Sequence, residues 1–217
     1  ENTEKYLNAT LAVKDIDILI IDDNSPDNTF QIIENYQKKF ENLIFIKRQG
    51  KLGLDTAHKE GFNYAKEKNY QNLITMDADL SHDPKEIYSF VKKLENNPFV
   101  IGSRYISEGK NEMKFSRYLL SFLGNKLIKF IFNIKCNEYT TSFRGFNFKL
   151  LKNFDINNVK SKGYSFFMET VYQVNKSGNT IEEIPIIFRD RKKGVSKIPK
   201  IETLRILKKL FFLKINE

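Results

Sequence analysis

Residues 17–40 read DILIIDDNSPDNTFQIIENYQKKF, and the order of residue types in this stretch indicates how the chain folds. The first six residues, 17–22, form a run rich in isoleucine, which is typical of a strand buried on both faces. Residues 25–40 predict a helix, because Ser25 can cap it and Pro26 suits its first position. A buried strand followed at once by a helix is the repeating unit of a layered α/β fold.

The same unit recurs along the first half of the chain. Strands are predicted at residues 42–47, 72–77 and 99–105, and helices at 55–69 and 83–97. This alternation predicts an α/β fold with a mostly parallel sheet, in which ligands bind at the carboxyl ends of the strands. The second half is less regular, with a helix predicted at 114–134 and a late strand at 180–191.

Acidic side chains follow two of these strands. Asp22 and Asp23 end the first, and Asp77 and Asp79, with Ala78 between them, end the third. Two carboxylates about 5 Å apart repel each other by about 3 kcal/mol at an effective dielectric constant of about 20. A divalent cation converts that repulsion into binding, and paired carboxylates suit Mg²⁺ or Mn²⁺. We therefore predict a metal site at the second pair, although an isolated Asp-x-Asp also occurs as two capping residues of a surface turn.

The first acidic pair allows two interpretations. Asp22 and Asp23 can accept hydrogen bonds from a base or a ribose, but the residues after them, Asn24 to Asp27, are all turn formers. Both roles are compatible.

Lys51 lies between two glycines and offers a positive charge, yet its spacing matches neither the P-loop nor the G-x-G-x-x-G dinucleotide pattern.

Length and composition restrict the class of protein. The chain has 217 residues, of which 41% are hydrophobic, enough for one substantial core, so we expect one main domain. Cys136 is the only cysteine, which excludes an internal disulfide and a cysteine-built metal site and fits a reducing, cytoplasmic setting. The polar start does not resemble a signal peptide, and no apolar run approaches the ~20 residues of a membrane-spanning helix.

Positive charge is concentrated at the end of the chain. Residues 189–217 contain ten basic and three acidic residues, and so carry seven of the nine net positive charges. Such a segment predicts contact with phosphates in nucleic acid, acidic lipid or a substrate, or else a solvated helix end. Residues 201–213 place an apolar stripe beside basic residues, as expected for a helix lying on an anionic membrane. The alternatives are that the stripe packs on the core or docks onto a membrane-anchored partner subunit.

Seven motifs then occur together in a specific order. They are DDNSPDNT (22–29), KLGLDTA (51–57), MDADLSHDP (76–84), IGSRY (101–105), TSFRGF (141–146), SKGYSFFMET (161–170) and DRKKGVSK (190–197). With these motifs the chain closely resembles the dolichol-phosphate (polyprenol-phosphate) mannose synthases, inverting glycosyltransferases of family 2 with the GT-A fold. The resemblance implies a dolichyl-phosphate β-D-mannosyltransferase-like enzyme that transfers mannose from GDP-mannose to a polyprenyl phosphate.

The resemblance also implies roles for individual residues. The metal, Mg²⁺ or Mn²⁺, is expected on Asp77 and Asp79 with Ser81 nearby. The nucleotide sugar is expected to contact Asp22, Asp23, Lys51, Asp77, Ala78, Asp79, Arg104 and Glu169. The acceptor phosphate is expected to contact Arg117, Arg144, Arg191, Ser196 and Lys197. The residues expected to act in catalysis are Asp79, Arg144 and Arg191.

The resemblance sets the expected domain boundaries. We expect a GT-A domain at residues 1–199 and an amphipathic basic helix at 200–217, bound peripherally to the cytoplasmic face of a membrane. Members of the family normally open with a strand and a Pro-x-Tyr-Asn-Glu-type segment. This chain begins at ENTEKYL, which resembles the helix after that strand, so we expect the first strand to be missing.

Other functions remain open from sequence. One is transfer of glucose or another hexose to undecaprenyl phosphate, because a few pocket residues decide sugar identity. Another is a non-catalytic, basic phosphate-binding or nucleic-acid-binding remnant. Nucleic acid is not an expected partner, because carboxylates at strand ends repel phosphates unless a metal lies between them.

Overall fold

The computed structural model describes residues 2–189. Arg191, Ser196, Lys197 and the helix predicted at 200–217 lie outside the described residues, so the roles expected of them stay predictions. The helices are α1 (Asn2–Leu11), α2 (Thr29–Gln37), α3 (Leu54–Glu67), α4 (Ile87–Leu94), α5 (Phe115–Phe132) and α6 (Tyr164–Lys176). The strands are β1 (Ile18–Asp22), β2 (Leu43–Lys47), β3 (Asn72–Thr75), β4 (Phe99–Ser103), β5 (Lys110–Asn111), β6 (Arg144–Asn147), β7 (Ile181–Pro185) and β8 (Ile187–Phe188).

The first strand–helix unit differs from its prediction at one boundary. β1 ends at Asp22 as expected, but α2 begins at Thr29 and not near Ser25. The amide and hydroxyl of Ser25 both donate hydrogen bonds to the Asp22 carboxylate, at 3.0 and 2.5 Å. These bonds, together with a positive φ of 58° at Asn24, hold the segment in a turn. Ser25 therefore serves the end of the strand and does not cap the helix.

The described strands form separate sheets. β1 and β2 pair in parallel, with Ile18 opposite Leu43. Four strands form a second sheet in the order β3-β6-β4-β7, in which β6 runs antiparallel to both of its neighbours. β5 and β8 form a short parallel pair. Within residues 2–189 no strand joins β1 to β3, so α3 connects the two larger sheets by packing.

Each sheet has its own buried cluster. The β1–β2 pair packs with α1 and α2 around Leu7, Ile18, Ile33 and Leu43. The four-stranded sheet is covered by α4 on one face and by α5, α6 and the end of α3 on the other. No helix between residues 2 and 189 combines the length and the apolar character that crossing a bilayer requires. The layered α/β architecture predicted from the alternating pattern is confirmed.

Candidate active site

Asp77 and Asp79 lie just beyond the carboxyl end of β3, where the sequence predicts them. Oδ1 of Asp79 accepts hydrogen bonds from the Ser81 amide at 3.0 Å and from the Ser81 hydroxyl at 2.5 Å. Leu80 between them has a φ of 63°, an uncommon conformation for a leucine that tends to occur at functional sites. Ala78 is exposed, and the Asp77 side chain keeps 31% of its surface in solvent. The turn therefore fixes Asp79 and leaves Asp77 accessible.

These two carboxylates fit a divalent cation. Mg²⁺ prefers oxygen ligands and is usually held by one or two carboxylates together with substrate phosphates. Among residues 2–189 there is no group of three or more His, Cys, Asp or Glu side chains that could hold a metal by itself. The pair thus matches a site that a diphosphate completes. Ser81 is 1% exposed and its hydroxyl donates to Asp79, which indicates a positioning role, while its place beside the metal stays a prediction.

His82 packs beneath the aspartates. It is 1% exposed, and its ring contacts Phe143 and Phe188 at centroid distances of 5.0 and 5.4 Å. Its Nε2 lies 3.9 Å from Oδ2 of Asp77 and 3.4 Å from Oγ of Ser142. His82 thus serves mainly as a packing residue that borders the Asp77 carboxylate.

Tyr6 of α1 is a neighbour of the aspartates that the sequence did not single out. Burial raises the pKa of Tyr6 to about 12, and the negative charges of Asp77 and Asp79 act in the same direction. The phenol therefore stays neutral at physiological pH beside the two carboxylates. No motif marks this residue, because it belongs to the buried face of an ordinary amphipathic helix.

The first acidic pair divides into two roles. Asp22 is 6% exposed and both its oxygens are used by Ser25, so it fits the turn interpretation. The Asp23 side chain, by contrast, keeps 30% of its surface in solvent. It accepts a hydrogen bond from the Gly53 amide at 3.1 Å and forms an ion pair with Arg48. Of the two, Asp23 is the one placed to contact a ligand.

Arg48 is a second residue that the sequence analysis missed. It follows β2 as Asp23 follows β1, and its amide donates to the Asp22 carbonyl at 2.9 Å. Its guanidinium reaches Thr56 Oγ1 at 2.6 Å and lies 3.6 Å from a Glu60 carboxylate oxygen. A cavity of about 430 Å³ adjoins this cluster and includes Thr56 and Glu60 in its wall. The strand-end rule that pointed to the aspartates would have found Arg48 too.

Arg104 directly follows β4 and forms a buried ion pair. Its Nε and Nη2 donate to the two oxygens of Glu138 at 2.7 and 2.9 Å, and both residues are buried. Burial alone would raise the pKa of Glu138, but the Arg104 guanidinium and hydrogen bonds from Thr140 hold it below its usual range. Glu138 and Thr140 engage Nε and Nη2 of Arg104, and its contact with the nucleotide sugar stays a prediction.

Arg144 begins β6 and is 1% exposed. Each of its three guanidinium nitrogens donates to a backbone carbonyl: Nε to Thr141 at 2.8 Å, Nη1 to Phe167 at 2.6 Å and Nη2 to Tyr139 at 2.8 Å. The side chain thereby ties the 139–144 loop to α6. These bonds use three of the five guanidinium N–H groups and give Arg144 a structural role, while its phosphate-binding and catalytic roles stay predictions.

The Glu169 side chain on α6 also has a structural role. It is 2% exposed and accepts hydrogen bonds from the amides of Lys160 at 3.2 Å and Ser161 at 2.7 Å, and from the Ser161 hydroxyl. The expectation that Glu169 faces the sugar stays a prediction. Asp55 fixes the same loop by accepting a hydrogen bond from the Gly163 amide at 3.1 Å.

The remaining predicted residues lie at the border of the site. Lys51 is exposed in the loop before α3, and Arg117 is partly buried in the first turn of α5. The last described residue, Arg189, donates its amide hydrogen to the Ser81 carbonyl at 3.0 Å and its Nη1 to Asp83 at 3.2 Å. The described structure therefore ends beside the aspartate turn.

Comparisons with known proteins agree with this architecture. The family model "Glycosyl transferase family 2" matches residues 1–154. An undecaprenyl-phosphate mannosyltransferase from Micrococcus luteus is 30% identical over 188 residues, which is 86% of this chain and 77% of the relative. A polyprenol monophosphomannose synthase from Mycolicibacterium smegmatis is 30% identical over 190 residues, 86% of this chain and 72% of the relative.

Solved structures show the same fold at lower identity. A glucosyl-3-phosphoglycerate synthase from Mycobacterium tuberculosis, in complex with Mn²⁺, UDP-glucose and phosphoglyceric acid, superposes with a TM-score of 0.70 at 12% identity. The match covers 98% of this chain and 75% of that one. A nucleotide-diphospho-sugar transferase from Desulfovibrio desulfuricans gives a TM-score of 0.55 at 13% identity, covering 99% and 82%. With its nucleotide-sugar-transferase fold of the GT-A type and its strand-end aspartates, the chain belongs to glycosyl transferase family 2.

Proposed function

We propose that the protein is an inverting glycosyltransferase that moves mannose from GDP-mannose to a polyprenyl phosphate. The observation that carries the proposal is the turn at Asp77 and Asp79, which presents two carboxylates at a strand end with one of them fixed by Ser81. The two relatives at 30% identity, which are named for undecaprenyl phosphate and for polyprenol monophosphomannose, support the acceptor and the sugar.

The donor would lie along the edge where β1, β2 and β3 end. Asp77 and Asp79 would hold Mg²⁺ or Mn²⁺ on its diphosphate. When bound, such an ion stabilises negative charge that develops on the leaving nucleotide. Asp23 is the best-placed carboxylate for the nucleoside, because Arg48 and the Gly53 amide orient it while part of its surface stays in solvent.

The acceptor needs no protein base in this proposal. A phosphate monoester has a second pKa near 6 and is mostly ionised at pH 7. Attack by that oxygen on the face opposite the leaving diphosphate inverts the anomeric carbon and gives a polyprenyl β-mannosyl phosphate. Arg117, Arg191, Ser196 and Lys197 are the proposed phosphate contacts, and the position of Arg189 beside Ser81 supports this for the segment that follows it.

We also propose that residues 1–199 form the catalytic domain and that residues 200–217 form a basic amphipathic helix. Its apolar stripe with flanking lysines supports a peripheral position on the cytoplasmic face of an anionic membrane. A membrane-anchored partner subunit is the alternative binding surface for the same stripe.

Turnover tests the function directly. Purified protein would be given radiolabelled GDP-mannose, a short polyprenyl phosphate and Mg²⁺ or Mn²⁺, with GDP-glucose and UDP-glucose in parallel. We expect mannosyl lipid from GDP-mannose and loss of product in Asp79→Asn. The matched control is Asp155→Asn, which alters a carboxylate at the start of the short helix Ile156–Asn158 and leaves the amide-capping oxygen in place.

Each other outcome is informative. Faster transfer from a glucose donor would replace mannose by glucose in the proposal. Absence of product from every donor, in protein that still binds GDP with a metal, would indicate a non-catalytic member of the family. Equal rates in the two aspartate variants would remove Asp79 from the active site.

A further inference from the structure

Helix α3 lies between the two larger sheets and contacts both of them. Asp23 follows a strand of the β1–β2 pair, and Asp77 follows β3 of the four-stranded sheet, and among residues 2–189 no strand joins the two sheets. The position of Asp23 relative to Asp77 therefore depends on how firmly α3 is held on each side. Its polar side chains fall into two sets that bind different parts of the protein.

The first set binds α3 to the ends of β1 and β2. Nη1 of Arg48 donates a hydrogen bond to Thr56 Oγ1 at 2.6 Å and lies 3.6 Å from a Glu60 carboxylate oxygen. Thr56 and Glu60 are four residues apart and so share one side of the helix. Just before the helix, the Gly53 amide donates to the Asp23 carboxylate at 3.1 Å. The start of α3 and Asp23 therefore hold each other in place.

The second set binds the loop at residues 157–163, which precedes α6. We call this set the α3 ladder, and its members are spaced four residues apart: Asp55, Lys59 and Asn63. At about 100° per residue, they fall within about 80° of the helix circumference. Lys59 Nζ donates to the Val159 carbonyl at 2.6 Å, and the side chains of Asn63 and Asn157 exchange hydrogen bonds of 3.3 and 3.2 Å. The ladder thus ties α3 to the second half of the chain.

Asp55 is the member of the ladder nearest the start of α3. It is 7% exposed, and its Oδ1 accepts the hydrogen bond from the Gly163 amide at 3.1 Å. Gly163 is the residue at which α6 begins, and its φ of 58° turns the chain into that helix. A Cβ atom added to Gly53 would lie 3.3 Å from the same Asp55 oxygen. This oxygen therefore lies between the start of α6 and the glycine whose amide binds Asp23.

The middle of α3 has a different anchor. Phe62 is 2% exposed and packs edge-on against Phe146 and Phe148 at centroid distances of 5.4 and 4.9 Å. Phe62 is seven residues beyond Asp55, about 10 Å along the helix axis. Removal of the Asp55 carboxylate would therefore leave α3 seated at Phe62 and release its N-terminal end.

We propose that Asp55 is a positioning residue that aligns Asp23 with the carboxylate pair Asp77 and Asp79. Its bond to the Gly163 amide fixes the first turn of α3, and that turn fixes Asp23 through Gly53. The proposal rests on the proposed function for its ligand, a nucleoside diphosphate with a divalent cation, and adds a residue that acts on this ligand only through others. A ligand that spans two groups binds more tightly when both are already held in the bound arrangement.

Two probes of different reach test the alignment. GDP with Mn²⁺ extends from Asp23 to the aspartate pair, whereas inorganic pyrophosphate with Mn²⁺ reaches the pair alone. We expect Asp55→Ala to weaken GDP binding by about tenfold, the effect of losing one buried hydrogen bond to a charged group. Pyrophosphate binding should change by less than about twofold, because that probe needs no alignment. Asp55→Asn keeps an oxygen for the Gly163 amide and should bind GDP like the unmodified protein.

The matched control is Asn179→Ala, which removes a buried side chain away from α3. Asn179 exchanges two hydrogen bonds of 2.8 Å with the Lys152 backbone, so its loss lowers the free energy of unfolding without loosening α3. GDP binding by this variant should stay within about twofold, as expected for a distant, independent site. If Asn179→Ala and Asp55→Ala weaken GDP binding equally, general destabilisation is the cause and the proposal is wrong.

A distance measurement without ligand separates this proposal from the proposed function. Spin labels at Glu34→Cys on α2 and Lys92→Cys on α4, both exposed positions, report the distance between the two sheets. Cys136 is buried, and burial raises the pKa of its thiol, so the labels react at the introduced cysteines. We expect the distribution of label distances to broaden in Asp55→Ala and to stay narrow in Asp55→Asn and Asn179→Ala.

The outcomes distinguish the two proposals. A distance distribution that stays narrow in Asp55→Ala would overturn the role of Asp55, whatever the protein binds. Asp55→Asn that behaves like Asp55→Ala would also overturn it, because the negative charge at the helix start would then act in place of the hydrogen bond. A distribution that broadens as expected, in a protein that binds no GDP, would support the role of Asp55 and reject GDP-mannose as the donor.

Discussion

Ser81 donates both its amide and its hydroxyl hydrogen to the same oxygen of Asp79, at 3.0 and 2.5 Å. The serine is buried, so this pair of bonds is shielded from water and fixes the carboxylate before any ligand arrives. A residue that orients a metal ligand typically accounts for a 10–100-fold difference in metal affinity.

The first prediction follows from that pair. Ser81→Ala should raise the Mn²⁺ or Mg²⁺ concentration needed for half-maximal transfer by roughly 10–100-fold, with the rate recovered at saturating metal. Asp79→Asn should lose activity at every metal concentration. A metal titration of both variants and of the unmodified protein makes the comparison. If Ser81→Ala titrates like the unmodified protein, Ser81 does not position the ligand.

The second prediction concerns Arg144. Arg144→Lys keeps the charge but cannot reproduce three bonds from one planar fork, so we expect the free energy of unfolding to fall by about 3 kcal/mol. The KM for the acceptor should stay within about twofold, because the bonds of Arg144 go to backbone carbonyls and not to the acceptor. Urea unfolding and steady-state kinetics give the two values. Unchanged stability with a raised KM for the acceptor would instead support the phosphate-binding role that the sequence predicts.

The third prediction compares a buried with an exposed ion pair. Glu138→Gln leaves the buried Arg104 guanidinium without its charge partner and should cost about 3–5 kcal/mol. Glu182→Gln removes the partner of Lys93, a 2.6 Å pair with both side chains over a third exposed, and should cost less than about 1 kcal/mol. Because the pKa of Glu138 is lowered in the folded state, its contribution is present above its unfolded pKa and is lost as pH falls through its folded pKa.

Comparable unfolding midpoints for the two glutamine variants would contradict the third prediction. Such a result would mean that the buried Arg104–Glu138 pair contributes no more to stability than an exposed pair does.

The fourth prediction concerns His58, which contacts Phe166 and Phe167 at centroid distances of 5.8 and 5.0 Å. Burial, with the nearby positive charge of Arg144, lowers the pKa of His58 to about 3. The unfolded chain therefore binds a proton below its own pKa of about 6.5 while the folded chain does not, so stability declines as pH falls from about 6.5 toward 3. Between pH 7 and pH 5, the free energy of unfolding of His58→Gln should fall by about 1 kcal/mol less than that of the unmodified protein. This is less than the value implied by the full pKa shift, because the ring is only partly buried.

Urea unfolding at pH 8, 7 and 5 measures this effect. The difference between the variant and the unmodified protein should be constant from pH 8 to pH 7 and change only below that. A constant difference down to pH 5 would mean that His58 ionises normally.

The fifth prediction concerns the chemistry of transfer. If the acceptor phosphate attacks without a protein base, the rate under non-saturating acceptor should follow the second ionisation of that phosphate, with an apparent pKa near 6. A pH–rate profile with a phosphonate acceptor of different pKa provides the control, because its midpoint should move with the acceptor. A midpoint that stays fixed would point to a titrating group on the protein.

Local sequence was sufficient to predict those strands whose pattern lies within a few consecutive residues. The apolar runs before Asp22 and Asp77 predicted β1, β3 and the acidic residues that follow them, because a short apolar run between polar residues is typical of a strand. The antiparallel β6 gave no comparable signal. It inserts between β3 and β4 from far along the chain, and that pairing depends on tertiary packing rather than on its own four residues.

The surroundings of the arginines could not be predicted from the sequence. An arginine near a strand end suits a phosphate, but the sequence does not reveal that Glu138 is buried opposite Arg104 or that three carbonyls converge on Arg144. Glu138 lies 34 residues from Arg104 and Phe167 lies 23 residues from Arg144, so these partners meet only in the folded chain. Ser25 failed for a different reason: its amide and hydroxyl donate to Asp22, which holds the segment in a turn, and the helix begins only at Thr29.

The separation between the β1–β2 pair and the four-stranded sheet has a consequence for local unfolding of the protein. Residues 2–47 have their own ladder and their own buried cluster, and they meet the rest through α3 and side-chain contacts. We expect their amides to exchange with deuterium through an opening that leaves β4 and β6 protected, as a separate cooperative unit. A nucleotide bridging Asp23 and Asp77 would join the two units, so its binding should slow exchange in β1 and β2 more than in the core of the larger sheet.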